Sequence, residues 1–164
     1  MKNKQLRKFA LGAEIVSAAA IVVTLGFLAY ETRDNTNAIQ AQTYQLLQSE
    51  LNEYRAIYTD SNLTKALTNA LNELQSGSIE SLSEDDYWIL FVDSTILWGI
   101  YESAYFANER GVLGDREWSR FENAICRRFE RDGPLWSQAG QYLPISTSKQ
   151  LTQDFVDYVE RNCK

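Results

Sequence analysis

Residues 11–30, LGAEIVSAAAIVVTLGFLAY, run for twenty positions with Glu14 as the sole charge. A helix rises about 1.5 Å per residue, so this run reaches roughly 30 Å, the thickness of a bilayer's hydrocarbon core. The uncharged part, 15–30, is slightly short at sixteen residues. Glu14 sits near its N-terminal end, where it reaches the headgroups or keeps its proton, and Tyr30 suits the aromatic belt at the other end. The segment is apolar on all faces, which disfavours a core helix of a soluble domain. A cleavable signal peptide is the nearer rival, because it shares the basic start and the apolar stretch. Cleavage after Ala29 would place Phe27 where a small residue is preferred, and Ala18, Ala19 and Ala20 come too early. The reading taken is an uncleaved transmembrane anchor.

Charge divides at the same boundary. Lys2, Lys4, Arg7 and Lys8 against Glu14 leave +3 up to residue 30, and twelve basic against twenty-one acidic side chains leave −9 beyond it, for −6 overall. Four basic residues precede the span and only Arg33 follows closely, so the N-terminus is expected in the cytoplasm. The expected organisation is a cytoplasmic basic tip (1–10), a single-pass signal anchor (11–30), a juxtamembrane amphipathic helix (31–58) and a helical bundle domain (59–164) packing with 31–58. That places the protein in the inner (cytoplasmic) membrane, with its C-terminal domain periplasmic or extracellular. The bilayer is a partner through residues 11–30. The acidic body lacks a basic stripe, so nucleic acid is not an expected partner.

Eight glycines and two prolines supply few turns, and the fold class expected is all-α: the transmembrane helix followed by a four- or five-helix bundle. Tyr44, Leu47, Leu51, Tyr54 and Tyr58 alternate three and four apart on a first amphipathic helix. Thr36, Gln40 and Thr43 extend that face in polar form. The face either packs on its own bundle or meets a partner, a second copy or another membrane protein. A second helix is predicted over 63–75, capped by Ser61 or Asn62 and ended by Ser76-Gly77-Ser78. A third opens at Ser83-Glu84-Asp85-Asp86, which approximates a capping box, and closes at Gly111. Its middle, 87–101, is apolar on most faces. Asp93 within it argues for a buried central helix rather than a second span, since a charge at the centre of a span costs about 2.5–3.5 kcal/mol. A fourth helix is predicted from a cap at Asp115 to a stop at Gly133-Pro134. A turn with Trp136 and Tyr142 leads to Pro144, and a last helix starts near Ser148.

The chain contains no histidine, which removes Ser-His-Asp and Cys-His nucleophiles and histidine-based metal sites. No catalytic residue, cofactor site or metal site is expected, and the chain reads as a non-enzyme. Asp93 and Glu102 are acids on the central helix, but nine residues at about 100° each turn them to opposite faces. Each is expected to meet a basic partner across the bundle, for which the fourth helix supplies Arg116, Arg120, Arg127, Arg128 and Arg131. Arg120, Arg127, Arg128 and Arg131 could hold an anion, although interleaved Glu117, Glu122, Glu130 and Asp132 read more simply as a solvated face. Trp88, Trp98 and Trp118 are candidates for an aromatic ligand pocket, against plain core packing. Cys126 and Cys163 would pair in an oxidising compartment, closing a loop worth on the order of 3 to 4 kcal/mol, or remain two unrelated thiols.

The junction Tyr30-Glu31-Thr32-Arg33-Asp34-Asn35-Thr36-Asn37-Ala38-Ile39-Gln40-Ala41-Gln42-Thr43-Tyr44-Gln45 resembles a stretch, YE-x-R-x-NT-x-A-x-QA-x-TYQ, that follows the span in uncharacterised small bacterial membrane-anchored proteins. The resemblance covers roughly residues 11–58. It implies a bacterial source and an N-terminal anchor, and it carries no activity or catalytic residue. The expected function is a membrane-tethered, non-enzymatic interaction or accessory protein of the bacterial cell envelope. The alternative is a ligand-sensing helical bundle with an aromatic-lined pocket.

Overall fold

Every described residue that belongs to a regular element is helical. The computed structural model describes residues 2–76, 79, 82–137 and 146–163, by backbone alone for 2–13, 15, 76 and 134. The order is α1 (Lys2–Ile57), α2 (Ser61–Ser76), α3 (Glu84–Glu109), α4 (Asp115–Ser137), a 3-10 turn (Thr147–Gln150) and α5 (Gln153–Asn162). The chain divides into two compact units, Met1–Ile39 and Gln40–Lys164, and α1 contributes to both.

The first unit is helix alone. Every side chain from 16 to 39 is exposed, Val22 and Val23 to about 70%. An eighteen-residue window here has mean hydropathy 1.3 with none of it buried, so the helix is long and apolar enough to cross a membrane. Three of its threonines bond within the helix: Thr24, Thr32 and Thr36 each donate to the carbonyl four residues earlier, at 2.8–2.9 Å. The basic side chains of the tip lie outside the described residues.

The second unit has two cores that share α3. One joins Leu47 and Leu51 of α1 to Trp98, Tyr101 and Tyr105 of α3, Phe121 and Ile125 of α4, and Phe155 and Val159 of α5. The other joins Leu67, Ala70 and Leu74 of α2 to Tyr87, Leu90 and Phe91 of α3 and Leu135 of α4. α3 is therefore the central helix of the bundle. Ser83 caps it, its Oγ accepting from the Asp86 amide at 3.2 Å, and Gly111 at φ +68° closes it where a side chain would be strained. The sulfurs of Cys126 and Cys163 are bonded at 2.03 Å, tying α4 to the end of α5.

Several ends differ from those predicted. α2 begins at Ser61, and its cap is Asp60, whose Oδ1 accepts from the Asn62 and Leu63 amides at 2.8 and 3.3 Å. Asp115 is the first helical residue of α4 rather than its cap; the Gly114 carbonyl takes the Trp118 amide at 2.8 Å. α4 also continues through Gly133-Pro134 to Ser137. A mid-helix proline costs about 3 kcal/mol, but Leu135 and Trp136 beyond it are each only 2% exposed, and burying two such side chains contributes roughly 3–6 kcal/mol. The last helix starts at Gln153, after Thr152, because Leu151 is extended at φ −103°, ψ 160°. Gly77, Ser78, Tyr142 and Pro144 lie outside the described residues.

Candidate functional site

Three helices meet over a buried polar chain. Tyr54 and Tyr58, one turn apart near the end of α1, stack edge to face with ring centroids 5.2 Å apart and hydroxyls 2.5 Å apart. Both hydroxyls donate to Oδ1 of Asp93 on α3, Tyr54 at 2.6 Å. The other oxygen of Asp93 accepts from Nη2 of Arg128 on α4 at 2.6 Å. Arg128 Nε pairs with Asp132 one turn on, and that carboxylate also takes Ser94 Oγ at 3.0 Å and Trp98 Nε1 at 3.2 Å. Asp93, Arg128 and Asp132 are 8%, 6% and 0% exposed, so a charge left unpaired here would be costly.

One guanidinium serves two buried carboxylates. Burial works against its charge, but Asp132 and Asp93 more than offset that and hold the Arg128 pKa above its usual value. Burial raises the carboxyl of Asp132 despite the pull of Arg128, which it shares with Asp93. Burial, then the Asp93 carboxylate, pushes the Tyr54 hydroxyl up as well. Asp93 thus has both oxygens occupied by donors, which suits a structural clamp better than proton transfer to a substrate.

One wall of this clamp faces an apolar groove. A cavity of about 330 Å³ opens between the end of α1, α2 and α3, lined by Tyr54, Ile57, Tyr58, Leu63, Leu67, Trp88, Ile89, Val92, Asp93 and Ile96. The lining side chains that carry polar atoms are the two tyrosines, Asp93 and Trp88. Trp88, Val92 and Ile96, one turn apart on α3, remain 38–51% exposed, and Ile57 is 42% exposed across from them. A second cleft continues past Tyr54, Ile57 and Ile96 to Glu50, Glu53 and Ile100. The volume falls at the small end of ligand cavities, and an apolar lining with a few placed polar groups is their usual chemistry.

The structure separates the three candidate tryptophans. Trp88 lines the groove. Trp98 is fully buried, 4.5 Å from Trp136, and Trp118 packs 5.7 Å from Tyr158. A pocket built from all three is therefore corrected to a groove with Trp88 alone. The candidate partner face is also largely occupied by its own bundle. Leu47 and Leu51 are buried in the core, Thr43 is half-buried, Tyr44 accepts from Arg120 at 2.9 Å, and Gln40 donates to the Gly111 carbonyl at 3.2 Å. Only Thr36 of that set is fully exposed.

Of the two acids singled out within the central helix, Asp93 meets an arginine, but among the described residues Glu102 does not. Its Oε1 accepts from the Thr152 amide at 2.6 Å and hydroxyl at 2.8 Å, fixing the start of α5. Arg128 and Asp132, read in sequence as part of a solvated face, are buried. Their i, i+4 spacing on the apolar side of α4 is the signal that could have shown it. Trp88, Val92 and Ile96 also keep i, i+4 spacing, but on a helix apolar nearly all round no face stands out. Among the described residues no group of three acidic or cysteine side chains converges as a metal site would need. Compared with protein-family models, with curated proteins and with solved structures, the chain matches none.

Proposed function

We propose that this chain is a membrane-tethered, non-enzymatic binding module of the bacterial cell envelope, whose bundle takes a small apolar molecule in the groove beside Trp88. The groove itself carries the reading. Isolated exposed apolar side chains are ordinary, but four of them rimming one cavity over a hydrogen-bonded tyrosine pair are not. The apolar first unit supports the tether, and the resemblance of the junction at 30–45 to small bacterial anchored proteins supports the envelope placement. Four basic residues before the span support a cytoplasmic N-terminus and an exported bundle.

The test uses the full chain in a non-ionic detergent and the uncharged fluorophore N-phenyl-1-naphthylamine. The wild type should show saturable dye emission above that of a Val92→Glu, Ile96→Glu variant in the same micelles, with quenching lost on Trp88→Phe. Equal emission from wild type and a folded double variant would remove the reading. The continuation of the groove towards Glu50 and Glu53 favours a second occupant, an amphipathic helix of a membrane-protein partner. A photocrosslinker at position 92 that captures one protein from native membranes would select it.

A further inference from the structure

On the far side of the tyrosine pair lies a cleft of different character. It has a volume of about 460 Å³ and runs between α2, α3 and α4. Arg127, Arg128 and Arg131 all line it, together with the hydroxyl-bearing Thr64, Thr68 and Tyr101, and no carboxylate is among its lining residues. That is unusual for a body with twelve basic and twenty-one acidic side chains beyond residue 30. Of the acids nearest in sequence, Glu122 accepts from Tyr158 at 2.7 Å, Asp93 and Asp132 sit beneath Arg128, and Glu130 is exposed and not among the cleft's lining residues.

The donors facing the cleft are incompletely used. Arg128 is 6% exposed, and its Nε and Nη2 are bound to the two aspartates. A side-chain hydrogen bond also links Arg128 to Tyr54. Among the described residues Arg127 spends only Nε, on the Asn123 carbonyl at 3.2 Å, and Arg131 only Nε, on Asp132 at 3.3 Å. Tyr101, 7% exposed, donates no hydrogen bond among the described residues. Three guanidiniums against two buried carboxylates leave one positive charge, presented through unfilled N–H groups that match the two-oxygen fork of a carboxylate or phosphate.

We propose that this cleft binds an oxyanion, the carboxylate or phosphate group of a small molecule, with Arg127 and Arg131 as clamps and Arg128 as the buried floor. The apolar Leu67, Leu71 and Leu97 in the same lining would take the body that carries it. The cleft and the apolar groove share the wall of Tyr54, Tyr58 and Leu67, but Val92 lines only the groove and Arg127 and Arg131 only the cleft, so variants there separate the two.

The test titrates inorganic phosphate, and separately hexanoate, into the full chain in a non-ionic detergent, against sodium chloride of equal ionic strength. Saturable binding by calorimetry, with a raised melting temperature for at least one of the two, is expected. Arg127→Gln with Arg131→Gln, both exposed and removable without unfolding the bundle, should weaken that binding at least tenfold. Val92→Glu in the groove should leave it unchanged. Tighter binding of hexanoate would assign a carboxylate, and tighter binding of phosphate a phosphoryl group. The proposal is overturned if neither anion exceeds the chloride control, or if the double arginine variant binds as the wild type does.

Discussion

Arg128 is the side chain on which most of the interior polar order depends. Converting it to methionine keeps much of the volume but leaves Asp93 buried without a cation and Asp132 with only Arg131 Nε at 3.3 Å, a loss of about 3–5 kcal/mol. Asp132→Asn should behave differently. Burial raises the Asp132 carboxyl above its unfolded value, near 3.9. Between those two values the folded chain holds a proton that the unfolded chain has released. Stability from this group therefore falls as pH rises through that window and is level above it. The asparagine variant keeps acceptors for Ser94 and Trp98, leaves Asp93 and Arg128 as a neutral pair, and should be as stable as wild type or more so at neutral pH. Urea unfolding of the full chain from pH 4 to 7 checks both variants. A wild-type slope in this window that persists in Asp132→Asn would contradict the assignment. The pairing of Asp93 with an arginine of α4 was legible in the sequence; the two tyrosines and Asp132 were not. Asp93 stood out as a charge in an apolar run, but its partners come from helices 35 and 39 positions away and only folding brings them together.

At the scale of elements, legibility followed how local the determining chemistry is. The start of α3 was readable because Ser83 and Asp86 act on each other three residues apart, and its end because Gly111 alone suits a positive φ. The seam from Tyr44 to Tyr58 was readable as one face, but not its destination, which depends on where α3 and α4 lie. The far end of α4 was misread because Gly-Pro is a local stop signal, whereas the burial of Leu135 and Trp136 that overrides it is tertiary. This has a measurable consequence. Gly133 sits within the helix, and an added Cβ there would meet nothing within 4 Å. Gly133→Ala should therefore stabilise the chain by about 0.5–1 kcal/mol, the helical cost of glycine relative to alanine. A lower urea midpoint for the variant would mean that α4 needs glycine's freedom before Pro134.

For the whole molecule, the anchor and the disulfide bear on the same question. A fully exposed apolar helix is at home in a bilayer, and a lasting disulfide is at home outside the cytosol. The first bears on whether the chain crosses a membrane, and the second, with the proposed topology, on which side the bundle lies. Full-length chain made in bacteria should therefore resist a thiol-reactive maleimide polymer until reduced, and then gain two adducts. With residues 2–30 deleted, the chain stays in the cytosol and both cysteines should react at once. The bond closes a loop with a separation of 37 residues, so the reduced bundle should lose on the order of 3 to 4 kcal/mol, a large fraction of a typical domain's stability. The truncated cytosolic form should accordingly melt well below the oxidised full chain, and oxidation after purification should restore the difference. Free thiols in the full-length protein would place the bundle on the cytosolic side. Without this bond α5, the shortest α-helix described, is held to α4 by the Phe155–Val159 face and the Tyr158–Glu122 and Trp136–Glu160 hydrogen bonds, so α5 should then be the first element to lose amide-exchange protection.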